Sequence, residues 1–144
     1  MIHLSTHTFN LKTKGNTDII DITGNVQQII SSSGYNEGSA LVFAGGSTAG
    51  ITTMEYEPGL LKDYPSFFEK IIPSDLSYNH DNTWHDGNGH SHVRAALQGA
   101  SFTVPFAEGR LLLGTWQQII LIDFDNRPRN RNIIVQITGT KNEK

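Results

Sequence analysis

The 144-residue sequence contains no cysteine. That excludes disulfides, thiolate metal ligands and a thiol nucleophile. Its five prolines are scattered rather than pooled, so no Pro-rich hinge divides it. No apolar run approaches the ~20 residues needed to cross a bilayer. Positive charge is not in excess: 11 Lys and Arg stand against 14 Asp and Glu, a formal net charge of −3. A broad electrostatic footprint for nucleic acid is therefore absent. No repeat of solenoid period occurs. The start, Met1-Ile2-His3-Leu4-Ser5-Thr6-His7, lacks the charged-then-apolar order of a secretory leader. The expectation is a cytoplasmic protein with neither a membrane nor a nucleic-acid partner. Apolar residues make up 37% and charged ones 17%. At this length that supports one packed core, and a single domain over 1–144 is expected.

What is present reads mostly as strand. Residues 2–12 carry Thr, Ile and Phe and are closed by the turn cluster Lys14-Gly15-Asn16. Further strands are predicted at 39–45, 50–56, 102–106, 117–125 and 131–138, with Asp125-Asn126-Arg127-Pro128 as a turn. Three helical patterns interleave. Thr23 is placed to cap Gly24 to Ser32, and Asn88 to cap Gly89 to Gln98. Leu60 to Ile72 carries apolar residues at helical spacing, and Pro65 is expected to split it into two short helices. Strands that follow one another without a helix predict an α+β fold with a mostly antiparallel core and about three short helices. The polar tail 141–144 is expected to fray.

Chemistry concentrates in residues 78–94, which hold His80, His85, His90 and His92 beside Asp81 and Asp86. Imidazole and carboxylate are the usual donors for zinc and related ions. Residues 73–87 show no periodicity and predict a long loop, a common place for function. If 90–94 is helical, His90 and His92 diverge by about 200°, whereas His90 and Arg94 share a face. If 88–92 is extended, the two histidines point the same way. Solvated or hydrogen-bonded histidines in a polar loop are the plain alternative. Gly45-Gly46-Ser47-Thr48-Ala49-Gly50 is a small-residue turn whose amides and hydroxyls can cradle an anion, but it lacks the lysine and spacing of a P-loop. Glu55 and Glu57 sit two apart at a strand end, where carboxylates can shift each other's pKa. Ile119-Ile120-Leu121-Ile122 is apolar on both faces and needs two covers, one of which a neighbouring subunit can supply. Thr115, Trp116 and Gln117 interrupt that apolar stretch and can line a pocket. Arg127, Arg129 and Arg131 flank Pro128 and read as a solvated basic turn, with pairing to acids or phosphate as the alternative.

The run Asp86-Gly87-Asn88-Gly89-His90-Ser91-His92-Val93-Arg94, then Val104-Pro105-Phe106 and Gly109-Arg110-Leu111, resembles the YjbQ family. Leu113-Gly114-Thr115-Trp116-Gln117-Gln118 and Pro128-Arg129-Asn130-Arg131 extend the resemblance over nearly the whole chain. This is also called the secondary thiamine-phosphate synthase enzyme family. The resemblance implies a β-sandwich-like core, a homotrimer with pockets near subunit interfaces, and a weak joining of an aminopyrimidine diphosphate to a thiazole phosphate. Many members carry a histidine where Gly46 stands here, and a threonine where Ser47 stands. Glu55, His80, His90, His92 and Arg94 match the family pattern.

The resulting expectation is one polar pocket. Glu55, Asp86 and His90 would be catalytic, and Ser47, Thr48, Arg94, Thr115 and Gln117 would bind a small phosphorylated ligand. His80, His90 and His92 would hold a divalent metal, zinc or magnesium. The rival expectation is a non-catalytic metal- or ligand-binding trimer with the same pocket.

Overall fold

Residue alternation builds the larger of two sheets. The structure is a computed structural model that describes residues 1–142. Along β1 (His3–Thr13) inward and outward residues alternate almost without interruption. β8 (Arg129–Lys141) pairs antiparallel with β1 on one side and with β3 (Tyr35–Gly45) on the other. β5 (Ser101–Ala107) and β6 (Arg110–Leu111) complete the order β1-β8-β3-β5-β6. Its inner face presents Ala40, Val42, Val104, Phe106, Ile133, Val135 and Ile137 to the core. The second sheet has the order β2-β7-β4, with β2 (Asp18–Asp21), β7 (Gln118–Asp123) and β4 (Ala49–Met54), again all antiparallel. Ile119 and Leu121 of β7 join Ile51 in the same core, which α1 (Thr23–Ser32) enters with Val26 and Ile30. The chain is thus α+β, with two antiparallel sheets about a shared core.

β7 is buried on both faces, but the second cover comes from the chain itself. Ile120 and Ile122 lie with Phe68, Ile72, Phe124 and Ala95 under α2 (Pro58–Ile71) and α4 (Gly89–Gln98). The two-sided apolar strand therefore needs no neighbouring subunit.

Other expectations change as well. Pro65 does not split α2, which runs unbroken through it. Packing outweighs the lost hydrogen bond, because Phe68, three residues on, lies edge-on to Phe124 at 4.9 Å and to Tyr64 at 5.0 Å. The stretch after Pro73 is not all loop: it contains α3 (Asn79–Trp84), a fourth helix. Thr23 is the first helical residue of α1 rather than its cap, and its Oγ1 accepts from the Ile119 amide at 2.9 Å. Asn88 does stand at the cap position of α4, but its side chain caps nothing there. Lys141 ends β8 instead of fraying, while the expectation for 143–144 lies outside the described residues. Among the described residues no helix is long and apolar enough to cross a membrane.

Candidate functional site

Two aspartates at the end of an otherwise apolar strand organise the site. Asp123 and Asp125 are fully buried. Asp123 receives Arg131 as a fork, with Nε to Oδ2 at 2.7 Å and Nη2 to Oδ1 at 2.8 Å. Arg131 Nη2 also donates to Thr48 Oγ1 at 2.6 Å, and that hydroxyl donates onward to Asp125 at 3.1 Å. Asp125 further accepts Arg129 Nε at 2.7 Å and Asn88 Nδ2 at 3.3 Å. Burial pushes the Asp125 carboxyl up, yet the bonds from Arg129, Asn88, the Asn126 amide and Thr48 outweigh it and hold it below the ordinary value. Two carboxylates thereby fix two guanidiniums, a hydroxyl and an amide side by side.

These groups wall a cleft of about 400 Å³. Thr48 enters from the β3–β4 turn with Gly46 and Ser47, Arg129 and Arg131 from β8, and His80 and Trp84 from α3. Asp86, Asn88 and His92 close the remaining side. The Gly46 backbone, at φ 149, is one that a side chain rarely adopts, and a Cβ there would come 2.8 Å from Arg131 Nη1. Glycine is what lets the arginine reach across the turn. Arg131 Nη1 and both terminal nitrogens of Arg129 make no hydrogen bond among the described residues. They remain as donors for an anion.

The opposite wall carries acceptors. His80 and His92 lie with ring centroids 4.1 Å apart. Burial, then the neighbouring His80, push the His92 imidazole below its ordinary value, so it is neutral at pH 7. His80 Nδ1 stands 3.8 Å from Asp86 Oδ1, too far for a hydrogen bond. His80 Nδ1 and Asn88 Oδ1 are the buried side-chain polar atoms without a partner among the described residues, and both residues line this cleft. Ligand atoms of His80, Asp81 and Asp86 fall within 4.8 Å of one another.

The expected single pocket is thus divided. His80, Asp86, His92, Ser47 and Thr48 come together, while His90, Arg94, Glu55, Thr115 and Gln117 lie elsewhere. Residues 89–98 are helical, so His90 and His92 diverge and cannot share an ion. His90 faces a second cleft with Arg94, Glu69, Thr17 and Ser74. Burial, then Arg94, push its imidazole down. Arg94 is no free anchor: it is buried and donates to the Ile72 carbonyl from Nε and Nη2, to Glu69 from Nη2 and to Thr17 from Nη1. It ties α4 to the end of α2. Glu55 is exposed beside Thr115 and Trp116 in another depression. Gln117 spends its amide on Thr53 Oγ1 and the Gly114 N–H, holding its own turn.

Asn88, Asp123 and Asp125 were not expected here, and Arg129 and Arg131 are not a solvated turn but take the alternative of pairing with acids. A signal exists in the sequence: two aspartates at i, i+2 end an apolar strand, and two arginines at i, i+2 follow a short turn. Charge that continues a buried strand requires a partner of opposite sign.

The UPF0047 protein YjbQ-like family model matches residues 7–140. A UPF0047 protein of Methanothermobacter thermautotrophicus is 43% identical over 129 residues, covering 90% of this chain and 88% of that protein. The UPF0047 protein YugU of Bacillus subtilis is 35% identical, covering 92% and 98%. Among solved structures, a hypothetical protein from Aeropyrum pernix superposes with a TM-score of 0.87 at 30% identity, covering 94% of this chain and 98% of that one. A YbjQ-like protein of unknown function from Sulfolobus solfataricus gives 0.84 at 33%, covering 95% and 99%. Sequence and fold agree along almost the full length, and the chain belongs to the YjbQ/UPF0047 family.

Proposed function

We propose that the cleft between α3, the β3–β4 turn and β8 binds a small phosphorylated molecule together with a divalent cation, and that the protein is a phosphate-handling transferase. The observation that carries this reading is one cleft lined both by His80 and Asn88, whose Nδ1 and Oδ1 are buried without a partner, and by Arg129 and Arg131, which keep guanidinium nitrogens to spare. A buried polar atom left without a partner is costly; a bound cation takes a lone pair from His80 Nδ1 or Asn88 Oδ1, and an anion takes the spare guanidinium hydrogens.

The donor set fits a divalent ion. His80, Asp81 and Asp86 would hold it, and when bound it would neutralise phosphate charge. The arginines orient phosphoryl oxygens, since a planar guanidinium takes two oxygens at once. Ser47 adds a neutral donor at the exposed edge. Neutral His92 accepts a proton from a reacting group, since Glu55 and His90 lie outside this cleft. An aminopyrimidine diphosphate and a thiazole phosphate, the pair implied by the YjbQ resemblance, are the first substrates to offer.

The test loads the purified protein with zinc or magnesium and measures retained metal. His80→Ala and Asp86→Ala should each lose most of it, while His90→Ala keeps it. Imidazole ligation needs the neutral ring, so retention should weaken in acid. Arg129→Ala should weaken phosphate binding about tenfold. Binding of metal and phosphate without product from any substrate pair favours the non-catalytic rival. Equal metal content in the parent, His80→Ala and Asp86→Ala overturns the metal assignment.

A further inference from the structure

The cleft does not end at the histidines. Beyond Gly46, Ser47 and His92, which line both spaces, it continues into a groove of about 400 Å³. The groove walls are Ala49, Ala95, Ala96, Gly99 and Ala100. Three main-chain oxygens along that wall are already used. The Ala100 carbonyl accepts from the Ala44 amide at 2.9 Å, Gly99 from Ile51 at 3.2 Å, and Ala95 from Gly99 at 2.9 Å. Only Ser47 and His92, at the mouth, offer side-chain polar atoms. A hydroxyl pushed into the groove would lose water for few partners, whereas a hydrocarbon surface gains by leaving water. Neighbouring packing does not dictate the width. No heavy atom lies within 4 Å of a Cβ built on Gly99, and Ala96 is exposed.

The sign of an occupant lies in the polar cleft that the groove adjoins. Asn88 is 3% exposed and its Oδ1 has no partner. We propose that the groove is the apolar arm of the same site. Its ligand is an organic phosphate whose group next to the phosphate is small and apolar rather than a polyol. Ala96 and Ala100 set the width of that arm. This assignment rests on the phosphate reading above.

Calorimetric titration of the metal-loaded protein with inorganic phosphate, phenyl phosphate and glycerol phosphate tests it. Phenyl phosphate should bind about tenfold or more tighter than inorganic phosphate, and glycerol phosphate should show no such gain. Ala96→Phe should cancel the gain and leave inorganic phosphate unchanged, which also shows that the variant is folded. Ala100→Val should reduce the gain in the same way. Equal affinities for phenyl and inorganic phosphate overturn the arm alone, as does a gain that survives both variants or tightest binding of glycerol phosphate. Failure of inorganic phosphate to bind at all overturns the phosphate reading and the arm with it.

Discussion

Arg131 and Arg94 are both buried arginines, yet only one faces a cavity with nitrogen to spare. Arg131 is held by Asp123 and Thr48 and keeps Nη1 free, whereas Arg94 divides its donors among Ile72, Glu69 and Thr17. Truncating either removes more than a contact. Arg131→Ala leaves Asp123 charged, fully buried and short of its fork, so stability should fall by about 3–5 kcal/mol. Chemical denaturation checks this, and a loss below about 1 kcal/mol would mean that water reaches Asp123. Function is therefore better probed at Arg129, which is partly exposed. The Glu69 partner of Arg94 gives a pH test. Its carboxyl is lowered from 4.5 to about 2, first by the Ser74 amide, then by Arg94 and the Ser74 hydroxyl. A depressed carboxylate stabilises the fold fully above its unfolded value and loses that contribution as pH falls through the folded one. Glu69→Gln should thus lower the urea midpoint at pH 7, with the deficit shrinking from about pH 4.5 and nearly gone at about pH 2. Half of the Glu69 side chain is exposed, so the deficit should be modest. A deficit independent of pH would assign the effect to packing.

Among the elements, strands with a strict two-residue alternation were legible in the sequence, and β1 and β8 keep that pattern from end to end. β2 and β6 were not, because four and two residues are too few to establish a period. α3 escaped for a different reason: none of its six residues is buried, so it leaves no apolar trace. The site inherits this division. The histidine segment announced itself, but which histidines share a wall depends on where α3 and α4 begin. The buried Asp123–Arg131 pair joins β7 to β8 in different sheets, a relation that the Asp and Arg spacing hints at but does not fix. α3 is tied down by few bonds. One is the Gly89 amide donating to Asp81 Oδ1 at 2.9 Å. A Cβ at Gly89 would lie 2.5 Å from Tyr78 Cβ and 3.1 Å from that same oxygen. Gly89→Ala should therefore push α3 away from α4 and cost about 1–3 kcal/mol by overpacking. Because α3 carries His80, metal retention should fall together with the melting temperature. Loss of stability with full metal retention would show that α3 positions His80 without its bond to α4.

For the molecule as a whole, the fold removes one reason to expect a trimer and supplies another. The second face of β7 is covered from within the chain by α2 and α4, so no subunit is needed there. Among the described residues nothing covers the outer face of the five-stranded sheet in this way. Phe43 sits opposite Ile134, and Leu41 opposite Gln136 and Thr103, with Phe43 39% and Leu41 36% exposed. Toward the β1 edge the same face carries Leu4, Thr6 and Thr8, and Leu4 is 65% exposed. We propose that the homotrimer implied by the family resemblance forms through this face, where apolar burial contributes about 25 cal/mol per Å² against a rim of Thr, Ser and Gln. Phe43 is the test position, since its side chain points away from the core and its loss leaves no cavity inside. Phe43→Lys should convert a trimer to monomers in sedimentation equilibrium at micromolar concentration, with the fold retained by circular dichroism. A parent chain that sediments as a monomer would remove the assembly proposal. A Phe43→Lys variant that stays trimeric would place the contact elsewhere and leave this sheet face to water.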